Sequence, residues 1–193
     1  MVTIVDSVDQ LVNYRHLITL PDGLRVLLRP LAHKDRDSLV ALFSNLPVEE
    51  TASFRNKVNQ PGLVASWADH PQYDKVFPLV AVVADRIVGN CTLHLGSGYT
   101  RHVAEVRIFL AREFRRRGIG SALIRSHLEI ARKLGLHQVV AEVVETRPQV
   151  IHAFERLGFE RQFAWKDLFM TPEGETLDMV VLVNYLKRPG ETF

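Results

Sequence analysis

Arg115-Arg116-Arg117-Gly118-Ile119-Gly120 is the stretch on which the reading of this chain turns, because the hydrophobic period changes across it. Before it, residues 103–111 are valine-rich and read as a strand. After it, Ile119, Leu123, Ile130 and Leu134 recur at four- and seven-residue spacing, with Arg125, Glu129 and Arg132 on the other side, so residues 118–134 read as an amphipathic helix. Gly135 stands where a left-handed C-cap belongs, and the β-branched run Gln138–Val144 that follows reads as a strand. The helix of this strand, helix, strand unit therefore opens at a pair of glycines. Unpaired N–H groups and the positive end of the helix dipole make that point an anion site. Glycine lets an anion approach the main chain closely, and Arg115, Arg116 and Arg117 add up to three charge-assisted donors, which suits a diphosphate. A Walker A loop would need Gly-Lys-Ser/Thr where this chain continues Gly120-Ser121-Ala122. A Rossmann loop would need glycine or a close substitute at Leu123.

Residues 77–84, 87–95 and 103–111 form strand-like runs, the first pair separated by an Asp85-Arg86 turn, as in an antiparallel meander. Residues 24–29 read as a strand stopped by Pro30. Residues 35–45 read as a helix with Leu39, Leu42 and Phe43 on one face, ended by Pro47. Residues 48–70 lack a clean period and read as helical in parts, and residues 1–23 as a poorly patterned leader. On the other side, Thr146 and Gln149 have capping-box spacing around Pro148, and Val150, Phe154 and Leu157 form the stripe of a short helix before Gly158. Residues 163–170 and 177–186 flank Pro172-Glu173-Gly174-Glu175 and return as a hairpin. No repeat, low-complexity tract or linker divides the sequence, so residues 1–193 read as one domain.

Composition narrows the function classes. The formal charge of +2 is the balance of 24 basic and 22 acidic residues, which argues against a general attraction to nucleic acid or membrane. The single cysteine, Cys91, forms no internal disulfide, no Cys/His cluster offers a metal site, and a reducing compartment fits best. Residues 1–17 carry Asp6 and Asp9 and lack both a basic n-region and a continuous apolar core, so no export signal is read and the expected location is the cytoplasm.

The quoted loop resembles the signature of the GNAT superfamily of N-acetyltransferases, Gln/Arg-x-x-Gly-x-Gly/Ala, which follows a strand and begins a helix. The resemblance runs through Ala104-Glu105-Val106-Arg107-Ile108-Phe109-Leu110, the helix, Gln138–Val144 and Leu157-Gly158-Phe159. Pro21-Asp22-Gly23, followed by Leu28-Arg29-Pro30 and Asp35, looks like the start of GNAT domains in bacterial protein-lysine acetyltransferases. The expected fold is then α/β (α+β): a mixed, mostly antiparallel sheet of six or seven strands with flanking helices and a splayed parallel pair, residues 103–111 and 138–144. The resemblance implies that residues 103–159 form the acetyl-CoA-binding core. There the backbone of Ile108, Phe109 and Leu110 pairs with the pantetheine arm as an added strand, while the side chains of Ile108 and Leu110 belong to the core. Arg115, Arg116, Arg117, Gly118, Ile119, Gly120 and Ser121 hold the pyrophosphate; Arg147 is placed to approach the pantetheine or a phosphate, and a solvated charge at a helix start is the alternative. The implied reaction carries an acetyl or other short acyl group from CoA to a primary amine, a protein lysine or a small metabolite. It proceeds by direct attack, with an N–H near Leu110 polarising the thioester carbonyl and no metal required. The acceptor and the oligomeric state stay open, a homodimer being compatible with the reading.

Acyl transfer needs a neutral amine, and stripping the proton from a group of pKa about 10.4 at about pH 7.5 costs roughly 4 kcal/mol. A carboxylate, directly or through water, offsets that cost. Glu105 and Glu142 are the candidates, although both lie in valine-rich strands where an exposed alternation position explains them equally well. Glu105 matches the strand glutamate of the lysine-acetyltransferase relatives and is preferred. Glu142 matches the one used by ribosomal-protein N-terminal acetyltransferases. His94 and His102 are reserve bases. Two positions depart from the family: Phe154 stands where a tyrosine acid is frequent, and Arg147 where asparagine is. These departures motivate a different class of function, a non-catalytic acyl-CoA-binding sensor. Cys91 lies in a run that reads as buried strand, which disfavours a covalent acyl-cysteine route.

Overall fold

The computed structural model describes residues 10–44, 46–52 and 54–187. Eight strands among them form one sheet: β1 (His16–Thr19), β2 (Arg25–Pro30), β3 (Val76–Val83), β4 (Arg86–Leu95), β5 (Val103–Leu110), β6 (Gln138–Val144), β7 (Glu160–Met170) and β8 (Thr176–Tyr185). Their spatial order is β1-β2-β3-β4-β5-β6-β8-β7, with every neighbouring pair antiparallel except β5 and β6. The strand beyond the expected six or seven is β1, inside the leader. It is four residues long and gains its order from β2, across a turn in which Gly23 takes φ +82° and the Asp22 carboxylate accepts the Leu24 N–H. Residues 1–9 of the leader lie outside the described residues.

Two layers of helix cover the sheet. On one side lie α1 (Arg36–Phe43), α2 (Val48–Thr51) and α3 (Pro61–Asp69), whose Leu39, Leu42, Phe43, Val64 and Ala68 bury against Val80, Val82 and Ile87. On the other lie α4 (Ile119–Lys133) and α5 (Pro148–Glu155), with Ile119, Leu123, Ile130, Ile151 and Phe154 against Ala104, Val106, Val139 and Ala141. The amphipathic stripe read from the sequence is thus the core face of α4. Its end is the glycine stop expected: Gly135 adopts φ +71°, and the Leu136 N–H returns to the Ala131 carbonyl.

Three local expectations are corrected. Pro30 is the last residue of β2, paired opposite Leu79, because a strand end tolerates the missing donor. The β3–β4 turn lies at Ala84-Asp85, both left-handed (φ +45° and +64°), the backbone that matches the twist of a two-residue hairpin, so Arg86 already belongs to β4. Helix α5 has Arg147 as its N-cap and no side-chain cap, so the Thr146 spacing does not form a capping box; Pro148 preorganises the first turn instead.

The buried Arg29–Asp35 pair ties β2 to the start of α1, with bonds of 2.5 and 2.7 Å, and the Ala32 N–H adds a third donor to Asp35. Burial pushes the Asp35 carboxyl up, but the Arg29 and Ala32 donors outweigh it and hold the group below the ordinary carboxylate range. Its contribution is therefore present above the unfolded-state value and lost as pH falls through the folded-state value. Asp35→Asn, which strands the Arg29 charge, should destabilise the protein by about 3–5 kcal/mol in urea titration at neutral pH. A loss below about 1 kcal/mol, as for an exposed pair, would contradict this assignment.

Candidate active site

The parallel ladder between β5 and β6 has only the pairs Val103↔Gln138, Ala104↔Val139 and Glu105↔Val140. Beyond Glu105 the strands part, β5 continuing along β4 to Leu110 and β6 along β8 to Val144. The opening lies beside the residues for which a backbone role was expected, Ile108, Phe109 and Leu110. The side chains of Ile108 and Leu110 pack into the core as expected, and that of Phe109 turns to the other face, stacked on Phe43 at 5.3 Å.

At the end of β5 the chain makes a 3-10 turn (Arg112–Phe114) and then enters α4 through left-handed residues, Arg116 at φ +58° and Gly118 at φ +90°. Gly118 caps α4 without any side-chain bond, and the first helical bond runs from the Ala122 N–H to the Gly118 carbonyl. The N–H groups of Ile119, Gly120 and Ser121 are thereby left outside the helical ladder, the condition for anion binding. A Cβ at Gly120 would lie 3.3 Å from Leu110 Cδ1 and 3.5 Å from Ile108 Cδ1, so its absence seats the helix start directly on β5.

The arginines divide their tasks. Arg115 binds Glu50 of α2 through both terminal nitrogens (3.2 and 3.0 Å), donates to the Leu110 carbonyl at 2.9 Å, and lies over the Phe109 ring. It therefore pins the end of β5 to the α2 layer. Arg117 pairs with Asp22 in the β1–β2 turn. Among the described residues Arg116 forms no ion pair, so the expected set of three guanidinium donors narrows to one that carries no carboxylate.

Glu105 and Glu142 lie on the two strands that part, and Arg55, from the α2–α3 connection, joins them. Its guanidinium hydrogen-bonds the Glu142 carboxylate and its Nε lies 3.8 Å from Glu105 Oε1. Arg107, two residues along β5, binds both Glu105 oxygens at 2.7 and 2.8 Å. Burial pushes the Glu105 carboxyl up, but its bonds and charge contacts with Arg107, aided by Arg55, bring it below the ordinary value, so it is ionised throughout the neutral range. His94 stands directly opposite Glu105 across β4–β5, with Nε2 3.0 Å from Thr92 Oγ1. Burial, with the nearby Arg107 charge, pushes it down to about 4, so it is a neutral imidazole near pH 7. His102 lies at the closed end of the pair, 5.2 Å from His137, away from the opening.

Phe154 is buried edge-on to Phe159 at 5.0 Å and has no proton to give. Arg147 lines an open cleft of about 220 Å³ with Glu49, Val144, Phe169 and Leu177, on the β7–β8 side of the opening. Cys91 is fully buried, and burial pushes its thiol up, away from the reactive thiolate. Sequence reasoning missed Arg55, Glu50, Arg107 and Asn90. The Asn90 amide oxygen is buried without a hydrogen-bond partner among the described residues, on the face of β4 that carries Thr92 and His94. Only Arg107 left a local signal, since an arginine two residues from a strand glutamate shares its face.

The fold and site together define the mixed α/β GNAT fold, with its one parted parallel pair beside a glycine-opened helix. The chain belongs to the Acetyltransferase (GNAT) family, whose profile matches residues 44–159. Members of that family are N-acetyltransferases. Among solved structures, the GNAT domain of S. lividans PAT superposes with a TM-score of 0.72 at 20% identity, covering 89% of this chain and 96% of that one. The yncA protein from Salmonella typhimurium, solved with its cofactor acetyl-CoA, gives 0.72 at 16% identity and covers 86% and 96%. Ribosomal-protein-alanine N-acetyltransferase from Brucella melitensis gives 0.70 at 21% identity and covers 82% and 98%. No curated protein matches the chain in sequence. Among the described residues, no helix is long and apolar enough to cross a membrane.

Proposed function

We propose that this chain is an acetyl-CoA-dependent N-acetyltransferase that acts on a primary amine by direct transfer. The observation that carries this reading is the parting of β5 from β6 at Glu105, with the start of α4, free of any side-chain cap, in the segment that follows the same strand. The residues fit the cofactor: from Val106 to Leu110 the edge of β5 away from β4 has no partner strand and can receive an extended arm, the Leu110 carbonyl being already bonded by Arg115, and Ile119, Gly120 and Ser121 offer N–H groups to a diphosphate, with Arg116 beside them. When bound, acetyl-CoA supplies an activated acetyl thioester. The work left to the chain is to position the amine and remove its proton. Glu105, ionised and oriented by Arg107, is proposed as the base acting through water, with Glu142 drawing the ammonium form into the opening. Without a tyrosine at position 154, the departing thiolate is protonated by solvent, which its modest basicity permits. Cytoplasmic location, a single domain and direct attack rather than an acyl-cysteine route complete the proposal.

For the acceptor we propose protein lysine ahead of a small amine, on the resemblance at the amino-terminal side. The residues carrying it also have structural tasks, Asp22 holding Arg117 and Arg29 holding Asp35. The ranking is tested by thiol release with a lysine-bearing peptide and with a polyamine. We expect the peptide to give the higher kcat/KM by at least about tenfold, roughly 1.4 kcal/mol. Turnover of the polyamine alone would reverse the order. The second reading, an acyl-CoA sensor, draws on the buried Phe154; it requires cofactor binding without turnover of any amine.

A further inference from the structure

The cluster at the opening is balanced: Arg55 and Arg107 face Glu105 and Glu142. The two cations are not equivalent. Arg107 is fixed to Glu105 by paired bonds from the neighbouring position of the same strand. Arg55 comes from a connection between short helices, and its side chain is 54% exposed where the carboxylates beneath it are 23% and 20% exposed. It lies over both acids, on strands that part beneath it, and can swing away without disturbing the sheet. With Arg55 displaced, the cluster carries one net negative charge, and Glu142 has no cation beside it among the described residues.

On the acetyltransfer reading above, we propose that Arg55 is a specificity-determining residue that holds the acceptor's cation position between Glu105 and Glu142, so that an entering ammonium must exchange with its guanidinium. The exchange conserves charge, one cation for another, and sets a threshold that favours acceptors carrying a full positive charge at the reacting end. The parallel Arg107–Glu105 pair keeps the base oriented while the exchange takes place. The facing His94, kept neutral chiefly by burial and further by Arg107 and Arg55, adds no competing charge there.

The test is steady-state kinetics of the parent, Arg55→Gln and Arg55→Lys with 1,4-diaminobutane and a lysine-bearing peptide as probes, following whichever the parent turns over. Removing a competitor held by a largely exposed ion pair should lower the amine KM of Arg55→Gln by about two- to fivefold. kcat and the acetyl-CoA Kd should be unchanged, and Arg55→Lys, which restores the charge, should return KM toward the parent. A raised amine KM in Arg55→Gln would overturn the proposal, showing that Arg55 supports acceptor binding instead of competing with it. Parental KM in both variants would also overturn it, reducing Arg55 to a surface pair. If neither parent nor variants release thiol with any amine while all bind acetyl-CoA, the acetyltransfer reading itself falls and takes this one with it.

Discussion

Gly120→Glu should leave the protein folded and reduce its affinity for acetyl-CoA by more than about 100-fold, roughly 2.7 kcal/mol. The new carboxylate sits at the second residue of α4, where it competes for the N–H groups of Ile119, Gly120 and Ser121 and repels a diphosphate seeking the same donors. Bulk alone is a lesser matter. The nearest atoms to a Cβ there are the flexible ends of Leu110 and Ile108 at 3.3 and 3.5 Å, which yield by tenths of an ångström. Gly120→Ala is therefore the control, and calorimetry should find its affinity within a few-fold of the parent. Equal, large losses in both variants would mean that the seating of α4 on β5, and not an anion site, governs binding.

The second large effect is expected of Glu105→Gln, which should lower turnover near pH 7 by about 100-fold, in the range of general base catalysis. Glutamine keeps the length of the side chain and an oxygen for Arg107, but accepts no proton. Because the Glu105 carboxyl lies below the ordinary range, it stays ionised across the assay window, and the rise of the parental rate with pH reports the amine rather than Glu105. The defect should shrink as pH approaches the amine's own value of about 10.4, where solvent supplies the neutral nucleophile. A folding defect would persist at every pH. Glu142→Gln should raise the amine KM more than it lowers kcat. Parental turnover in Glu105→Gln together with its loss in Glu142→Gln would move the base to β6.

What was legible in the sequence was local. The glycine-opened helix, its apolar stripe and its glycine stop are fixed by residues within a few turns of one another, and Gln138–Val144 was bounded as observed. The parallel pair followed from a strand, helix, strand order that leaves a crossover no other simple solution. β1 was not legible, because four residues carry no period of their own and gain order only from β2. The region 48–70 was opaque for a similar reason: α2 has four residues, α3 nine, and the layer is held by aromatic contacts among Phe43, Phe54, Trp67 and Phe109 that no window contains. The candidate site shows the same division. Glu105 and Glu142 were named because strand patterning and resemblance point to them. Arg55 was not, since its link to Glu142 spans 87 residues of sequence and comes from the segment with the weakest pattern. The three arginines of the loop were read as one electrostatic group, whereas partners on distant elements, Glu50 and Asp22, give two of them structural work.

Transfer of an acetyl group from CoA to an amine is decided by single-turnover reaction of acetyl-labelled acetyl-CoA with saturating lysine-bearing peptide or polyamine. Label is expected on the amine nitrogen in step with free thiol, with none retained on the protein. Tight binding of acetyl-CoA, with thiol release no faster with amine than without it, would rule out acetyl transfer and leave a binding module in its place.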